Sequence, residues 1–356
     1  MRRYAVLALD SFTTRSAKTA HGVIAYSSDE IAAVIDPSCA GKRILEVMPH
    51  LRRDAPIVAS VAQALAARPT SLLVGVAPPG GALPPSWRAA ILAALDAKLE
   101  IVSGLHEQLR DDPEFAAAAA RSGAAIWDVR FPPAVPLFSG EAWRVPARVV
   151  LTVGSDCAVG KMTVSLELQR AALDRGERAG FVATGQTGIM IAGSGIAIDR
   201  VIADFAPGAT EQIVVEGARA ADLLFVEGQG GINHPAYAPV TLALLYGAAP
   251  DALVLVHYVA RTSVEGYGTP LLSYRRLIET YEALCATVKP ARVVGIALNT
   301  LGLDDGEARA AIEHARNATG LPADDVVRYG AHALYDAIAP ALREKTQPLV
   351  HETAPA

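Results

Sequence analysis

One segment in the middle of the chain restricts what this sequence can fold into. The apolar run Val149–Val153 leads into a loop bounded by Gly154 and Gly160, and Lys161 and Thr163 follow where a helical pattern begins. Such a loop wraps backbone N–H groups around phosphate oxygens at a helix N-terminus, where the helix dipole also favours an anion. The segment therefore predicts a phosphate-binding loop between a parallel strand and a helix.

The same loop supplies most of the candidate cofactor-binding residues. Lys161 would reach terminal phosphates, and the Thr163 hydroxyl could coordinate Mg²⁺. Five residues rather than four separate the two glycines, so a tight strand-to-helix turn with an incidental lysine is the alternative interpretation. We expect Cys157 to fill space in the loop, since no histidine is near it in sequence. The predicted cofactor-binding residues of the loop are Gly154, Ser155, Asp156, Cys157, Ala158, Val159, Gly160, Lys161, Met162 and Thr163.

Short β-branched or Leu-rich runs alternate with longer helical patterns on both sides of this loop, which predicts parallel sheets with crossover helices. A length of 356 residues suggests two domains. We predict an α/β fold with an N-terminal Rossmann-like domain over 1–146, including a proline-spaced linker at 131–146, and a C-terminal P-loop NTPase-like α/β domain over 147–356. The predicted strands are Tyr4–Leu9, Ile31–Asp36, Ile57–Ala59, Leu72–Val76, Glu100–Val102, Ala125–Val129, Val149–Val153, Gly180–Thr184, Leu223–Glu227, Ala252–His257, Val293–Asn299 and Val326–Tyr329.

Charge, hydropathy and cysteine usage exclude several classes of function. The chain has 32 basic and 37 acidic residues, a net charge of −5, which argues against a nucleic-acid binder driven by bulk charge. The mean hydropathy is +0.28, yet no apolar run reaches the roughly 18 residues of a membrane span. Cys39, Cys157 and Cys285 have neither disulfide nor zinc-ligand spacing. We therefore expect a cytoplasmic protein with no nucleic-acid or membrane partner, assembled as a homo-oligomer.

A second glycine-rich segment follows the predicted strand Leu223–Glu227. Glu227 stands at the carboxyl end of that strand, which is the edge where open α/β sheets bind ligands. A carboxylate in such a place is costly unless it is paired or bound to a metal, so Glu227 is a candidate catalytic or metal-binding group. The alternative is a residue that caps the loop.

Together the two segments resemble the dethiobiotin-synthetase branch of P-loop proteins. Residues 154–161 match its loop Gly-x-Asp-x-x-x-Gly-Lys, and residues 227–231 match its Glu-Gly-x-Gly-Gly. The resemblance implies that Glu227 helps to hold Mg²⁺, that the glycines let backbone approach the substrate, and that Asn299 reads a nucleotide base. Asn299 is equally typical of a turn, and Asp204, a weaker metal candidate, is equally typical of a helix N-cap. The metal ligands, if a Mg²⁺-nucleotide is used, would be Thr163, Asp204 and Glu227.

Over nearly its full length the chain resembles the DgcN-type N-acetyltransferase family. The resemblance is carried by Ala33–Asp36, Pro56–Ser60, Gly75–Gly81, Ile101–His106, Trp127–Arg130, Gly154–Thr163, Ala183–Gly188, Asp199–Asp204 and Glu227–Tyr237. It implies an enzyme that moves acetyl from acetyl-CoA, as co-substrate, to the amine of a D-amino acid such as D-glutamate. Acetyl transfer from a thioester requires no ATP, so the phosphate loop would hold the phosphates of coenzyme A.

Two alternatives stay open on the sequence alone. The loop suits an ATP- and Mg²⁺-dependent ligase or kinase of dethiobiotin-synthetase type equally well, and a non-catalytic nucleotide-binding regulator is the third possibility. Acyl transfer to an amine needs a base and an oxyanion stabiliser. His234, just beyond the glycines, is the candidate base, although a loop histidine is often merely hydrogen-bonded. The backbone N–H groups of Gln229–Gly231 are candidates for the oxyanion, and the candidate catalytic residues are His234, Glu227 and Lys161.

The implied substrate is a small anionic amino acid, and the first domain offers groups for it. The turn Gly75–Gly81 can cradle an anion. Ser103, His106 and Arg130 follow strand ends, and Arg130 could clamp a carboxylate with two hydrogen bonds. The alternatives are a surface ion pair of Arg130 with Asp128 or a neighbour and a helix-surface position for His106. The predicted substrate-binding residues are Ser103, His106, Arg130, Gly80, Gly81, Gly230 and Gly231.

Overall fold

The computed structural model describes residues 1–76 and 81–349. These residues form two compact units, each built on a six-stranded sheet. The first unit contains Met1–Phe131 and Gln186–Ala197, and the second contains Pro132–Gly185 and the chain from Ile198 onward. Every strand pair in both sheets is parallel, which confirms the predicted α/β class.

The first sheet has the strand order β3-β2-β1-β4-β5-β6. Its strands bury their apolar runs on both faces, as parallel sheets covered by helices do. The ends of the helix α5 (Pro113–Ser122) are set by the residues beside them. The Asp112 carboxylate accepts from the first backbone N–H groups of the helix, and Gly123, at φ +76°, ends it. The strands and helices are β1 (Arg3–Leu7), α1 (Lys18–Tyr26), β2 (Glu30–Ile35), α2 (Ile44–Val47), β3 (Ile57–Val58), α3 (Val61–Ala64), β4 (Ser71–Val74), α4 (Arg88–Asp96), β5 (Glu100–Ser103), α5 (Pro113–Ser122) and β6 (Ile126–Asp128).

The second sheet has the order β12-β11-β10-β7-β9-β8, so that β7 lies between β10 and β9 in its centre. The carboxyl ends of these three strands therefore meet at one edge, where ligands bind in open α/β sheets. Apart from α7 (Gln186–Ala192), which groups with the first unit, the elements from residue 148 onward belong to the second unit. They are β7 (Arg148–Gly154), α6 (Lys161–Asp174), β8 (Ala179–Val182), α8 (Ala206–Ala218), β9 (Leu223–Val226), α9 (Ala238–Ala248), β10 (Ala252–Tyr258), α10 (Tyr274–Cys285), β11 (Arg292–Asn299), α11 (Asp305–Thr319), β12 (Ala323–Asp324) and α12 (His332–Ile338). No helix in the described ranges is long and apolar enough to cross a membrane.

The last predicted strand is wrong. The strand is Ala323–Asp324, and residues 326–329 form a turn instead of the predicted extended segment. The Asp325 carboxylate accepts from the backbone N–H groups of Val327 and Arg328, each at 3.0 Å. This local side-chain acceptor competes with a sheet ladder and bends the chain.

The division between the units falls after Phe131, so the segment predicted as a linker at 131–146 belongs almost entirely to the second unit rather than to residues 1–146. Its backbone is held by the buried Glu211 carboxylate, which accepts from Ser139 N and Ala142 N. A Cβ atom on Gly208 of α8 would overlap the Pro136 carbonyl oxygen, so this segment lies directly on the helix. Buried hydrogen-bond acceptors and close packing make the stretch part of a domain.

Helix α7 corrects the predicted boundary a second time, because Gln186–Ala197 groups with the first unit although it follows the phosphate loop in sequence. Thr187 on α7 places its hydroxyl 3.1 Å from the Thr19 hydroxyl on α1. The chain leaves and re-enters the second unit at neighbouring points, since Ile198 N donates to Thr184 O at 2.9 Å. The order of the segments along the chain does not reveal that this helix groups with the first unit.

Candidate functional site

The phosphate-loop segment folds as the predicted strand, loop and helix. Gly160, at φ +115°, immediately precedes α6, and no side chain caps the helix. The first N–H groups of α6 are therefore not engaged by a capping side chain and face a loop whose residue Ala158 also takes a left-handed conformation, φ +51°. The backbone has the form that binds an anion at a helix N-terminus.

Lys161 joins the phosphate loop to the glycine-rich segment after β9. Its side chain is 5% exposed, and Nζ donates to Asp156 O at 2.8 Å and to Gly230 O at 2.7 Å. Burial lowers the pKa of Lys161 to about 8, against the opposing effect of Cys157 and Asp156. The ammonium is thus held by neutral carbonyl oxygens, which a phosphate oxygen would replace with a charged partner.

The glycines after β9 let the two loops touch. A Cβ atom on Gly228 would overlap Thr152 O, one on Gly230 would overlap Tyr237 O, and one on Gly231 would lie 2.8 Å from Asp156 Cα. These glycines were expected to make room for the substrate, but the atoms closest to them belong to the protein's own backbone. The absence of side chains at these positions allows this close packing, and substrate binding by Gly230 and Gly231 stays a prediction.

Tyr281 also joins the loop after β7 to the loop after β9. Its fully buried hydroxyl donates to Gly154 O at 2.7 Å and accepts from Ile232 N at 3.1 Å. Burial raises the pKa of Tyr281, so the hydroxyl keeps its proton and its donor role. Lys161 and Tyr281 therefore each form hydrogen bonds to both loops.

Glu227 follows β9 and is 6% exposed. Its Oε2 atom accepts from Thr184 N and Gly185 N, both at 3.0 Å. Burial raises the pKa of Glu227 to about 7, although the two N–H groups and Lys161 oppose the shift; Asp199 adds to it. The carboxyl group caps the loop before α7, as the alternative interpretation held. A pKa near 7 is also the range that suits a general base at neutral pH.

His234 is buried, at 2% exposure. The contacts of its two ring nitrogens indicate which of them carries the proton of the neutral form. Nδ1 accepts from the backbone N–H groups of Ala236 and Tyr237, each at 3.2 Å. The neutral ring therefore carries its proton on Nε2, which has no hydrogen-bond partner among the residues described. Tyr237 stacks on the ring with centroids 4.3 Å apart. His234 is arranged as a donor at Nε2, which differs from the predicted role as a base.

Cys157 and His234 come together although 77 positions separate them in sequence (234 − 157). The Cys157 Sγ atom, a His234 ring nitrogen and an Asp156 carboxylate oxygen all lie within 4.8 Å of one another. Cys157 is half-buried, whereas Cys39 and Cys285 are buried. No histidine is near Cys157 in sequence, but the loop after β9 brings one beside it in the folded chain.

Sequence reasoning missed two residues of the site, Arg261 and His257. Arg261 donates to Asp156 Oδ2 at 3.0 Å and to Cys157 O at 2.6 Å. His257 Nδ1 lies 2.8 Å from Ser155 Oγ, and burial, with Arg261, lowers the pKa of His257 to about 4. Both lie at or just after the carboxyl end of β10, so the rule that singled out Glu227 on β9 applies to them as well.

The predicted nucleotide and metal residues have different surroundings. Asn299 donates to Val159 O at 3.3 Å and accepts from Leu301 N at 3.1 Å, which is the turn role with a contact to the phosphate loop. Thr163 is half-buried in the first turn of α6. Asp204 is exposed and does not cap α8, whose N-cap residue is Phe205. Thr163, Asp204 and Glu227 remain predicted Mg²⁺ ligands only.

The predicted substrate residues of the first unit divide into buried and exposed groups. Arg130 is buried and donates to Gly104 O at 2.8 Å and to Gln186 Oε1 at 2.7 Å. The Asp128 carboxylate, the partner that the alternative interpretation gave first to Arg130, pairs with Arg110 at 3.1 Å.

Ser103 is fully buried and its hydroxyl accepts from Leu105 N at 3.3 Å. His106 is exposed and lies against Gly81, where a Cβ atom would overlap its ring. Gly80 lies outside the described residues. The structure thus gives Ser103 and Gly81 local structural roles, and substrate binding by this group stays a prediction.

The fold and the site define a two-unit α/β protein whose second unit carries a P-loop. Residues 136–335 match the family described as the DUF1611 C-terminal P-loop domain, a domain of unknown function, and residues 37–132 match its N-terminal Rossmann-like domain. The chain belongs to the DUF1611 family. A crystal structure of a family member from Anabaena variabilis is similar, with a TM-score of 0.91 and 42% identity over 96% of this chain and 100% of that one.

Two curated relatives extend the comparison to activity. The chain is 37% identical over 330 residues to a D-glutamate N-acetyltransferase from Tritonibacter scottomollicae, covering 91% of this chain and 94% of the relative. It is 36% identical over 277 residues to a D-glutamate N-acetyltransferase from a Pseudoalteromonas species, covering 77% and 83%. The resemblance to the DgcN-type family is confirmed, and the protein is an enzyme of the acyltransferase class.

Proposed function

We propose that this protein transfers the acetyl group of acetyl-CoA to the amine of D-glutamate. The names of the two relatives support the reaction. The structural observation that carries it is Glu227, a carboxyl group with a pKa of about 7 that stands at the ligand edge of the sheet within electrostatic reach of the phosphate-loop lysine. One site then combines an anchor for a phosphorylated donor with a proton acceptor for an amine.

Coenzyme A carries several phosphates, and the loop offers three kinds of group for them. The uncapped start of α6 supplies N–H groups, Lys161 supplies an ammonium, and Arg261 supplies a guanidinium. Lys161 and Arg261 both donate to backbone carbonyl oxygens of the loop. A phosphate that replaces these carbonyls gains charge-assisted hydrogen bonds, which are about twice as strong as neutral ones.

Glu227 and His234 then take complementary roles in amide formation. An ammonium is not nucleophilic, so the proton of the attacking amine passes to ionised Glu227. The carbonyl oxygen of the acetyl group gains negative charge as the tetrahedral intermediate forms, and the Nε2–H of His234 is a donor for it. This proposal replaces the predicted base His234 by Glu227, because His234 Nδ1 already accepts two backbone N–H groups.

An ATP- and Mg²⁺-dependent reaction is the second candidate. It is favoured by the position of Thr163 in the first turn of α6, two residues after Lys161, where a hydroxyl can coordinate Mg²⁺. The two candidates differ in their requirement for a nucleotide, since a thioester already activates the acetyl group.

The test mixes purified protein with D-glutamate and acetyl-CoA, with and without ATP and Mg²⁺, and follows the N-acetylated product by mass spectrometry. We expect product without ATP and an equal rate when ATP is added. L-Glutamate in a parallel reaction measures the preference for handedness. Hydrolysis of ATP that depends on the amino acid, with no acetylated product, would replace this function by the second candidate.

A further inference from the structure

The proposed reaction has not used the thiol of Cys157, which lies in a cluster with Asp156 and His234. Its Sγ atom shares a 4.8 Å neighbourhood with an Asp156 carboxylate oxygen and a His234 ring nitrogen. We infer that Cys157 is the first acetyl acceptor, so that the acetyl group passes from coenzyme A to the Cys157 sulfur and from there to the amine. The inference rests on the proposed function and adds a covalent intermediate to it.

His234 is the independent observation that points to a reacting group at this place. Its side chain is almost completely buried, its Nδ1 is fixed by two backbone N–H groups, and its Nε2 has no partner in the described part of the chain. A buried donor without a partner destabilises the fold, and a ligand or an ionised neighbour that accepts from it would offset that cost. A thiolate or a thioester carbonyl oxygen at Cys157 is such an acceptor.

Charged groups around the sulfur act in both directions on a transient thiolate. Arg261 donates to the Cys157 carbonyl oxygen and pairs with Asp156, and it also pairs with Glu265, so both nearby carboxylates have a cationic partner. Lys161 donates to the Asp156 carbonyl oxygen next to the cysteine. Burial raises the pKa of the Cys157 thiol, with Asp156 and Glu265 adding to the shift and Lys161 and Arg261 opposing it. Acylation should therefore become faster as the pH rises.

The two half-reactions balance. The Cys157 thiol loses its proton to solvent, and the thiolate attacks the acetyl carbonyl carbon of acetyl-CoA. A carbon–sulfur bond to Cys157 forms, the carbon–sulfur bond to coenzyme A breaks, and the departing thiolate takes a proton from solvent. The amine then attacks the same carbon, its proton passes to Glu227, and the carbon–sulfur bond to Cys157 breaks. The departing Cys157 thiolate takes a proton from solvent, and Glu227 releases its proton to solvent, which restores both groups. Exchange between two thioesters is close to thermoneutral, so the first step needs no further energy source.

The first experiment uses the intact protein with acetyl-CoA and no amino acid. After an acid quench, we expect one acetyl group on the peptide that contains Cys157 and release of one equivalent of free coenzyme A. The Cys157→Ala variant should acquire no acetyl group. The Cys285→Ala and Cys39→Ala variants, which change buried thiols away from the loop, should be labelled like the unchanged protein.

Steady-state kinetics provide the second readout. A covalent intermediate gives parallel double-reciprocal lines when acetyl-CoA and D-glutamate are varied together, and Cys157→Ala should lower kcat by at least about 1,000-fold. Thermal melting of Cys157→Ala checks that it folds. Intersecting lines with an unlabelled Cys157, in a protein that still acetylates D-glutamate, overturn the inference and leave the proposed function standing.

The remaining outcomes are equally decisive. An acetylated Cys157 without product from D-glutamate supports the covalent step and overturns the proposed amine. Neither label nor product overturns both proposals. Stoichiometric zinc in the purified protein, lost together with activity on chelation, overturns the inference, because a thiol, an imidazole and a carboxylate are also zinc-ligand types and a coordinated thiolate would not be acylated.

Discussion

The ammonium group of Lys161 lies 2.7 Å from the carbonyl oxygen of Gly230, a residue 69 positions further along the chain. The same ammonium bonds Asp156 O, so one buried side chain holds the loop after β7 against the loop after β9. The strands that precede these loops are neighbours in the sheet. A ligand that draws Lys161 towards a phosphate therefore acts on both loops at once.

Replacement of this lysine tests the phosphate loop. We expect Lys161→Ala to weaken coenzyme A binding by about 10- to 100-fold, since hydrogen bonds to charged groups contribute about 1.5–3 kcal/mol. Isothermal titration calorimetry measures the change. Lys42→Ala, at an exposed lysine of the first unit, is the matched control. Equal affinities of Lys161→Ala and the unchanged protein would remove the phosphate-binding role.

The pH dependence of the rate tests Glu227 as the base. Its pKa is about 7, and only the ionised form accepts a proton, so kcat/KM for D-glutamate, which reports the amine's attack, should rise with pH and level off above about 7. Glu227→Gln should lower kcat/KM by about 100-fold or more and abolish this rise. Glu344→Gln, at an exposed carboxylate, is the control. Persistence of the rise in Glu227→Gln would assign it to another group.

The same carboxyl group should lower the stability of the fold as the pH increases. The folded-state pKa of Glu227 is raised from 4.5 to about 7, so the folded protein binds the proton more tightly than the unfolded chain. The folded state therefore loses stability between pH 4.5 and 7 through this group. We expect the Tm of Glu227→Gln, relative to the unchanged protein, to be higher at pH 8 than at pH 5. A constant difference in Tm across that range contradicts the raised pKa.

Two substitutions separate a donor role of His234 from a role as a base. His234→Gln keeps an N–H donor and should retain kcat within about 10-fold, whereas His234→Ala should lose about 100- to 1,000-fold, as the loss of an oxyanion donor does. The rise of the rate with pH should survive in both variants, because it belongs to Glu227. Loss of that rise in His234→Gln would return the base role to the histidine.

The Tyr281 hydroxyl should contribute to stability through the two loops it joins. Tyr281→Phe leaves Gly154 O and Ile232 N without this partner, which should lower the free energy of unfolding by about 1–3 kcal/mol. Denaturant titration measures the loss, and Tyr267→Phe, at an exposed tyrosine, should change little. Equal midpoints for the two variants would show that the hydroxyl does not hold the loops.

Much of the fold follows from local patterns. Apolar runs bounded by turn residues predicted the central strands, and the strand before Gly154 and the helix at Lys161 are where the pattern placed them. The exceptions arise from contacts that a pattern of apolar residues does not contain. Val326–Tyr329 has a strand composition but bends on the Asp325 carboxylate, and Gln186–Ala197 joins the first unit through contacts that sequence order does not reveal.

The chain's own residues determined the α/β class, the phosphate loop and the position of Glu227 at a strand end, because periodicity, glycine spacing and the rule for strand ends are properties of neighbouring residues. Only the tertiary structure decided that His234 presents Nε2–H, that Cys157 has a histidine beside it, and that Arg261 anchors the loop. Each of these depends on which strands are adjacent in the sheet. The order in which β10, β7 and β9 pair brings distant residues to one edge, and that order is set by the packing of the whole unit.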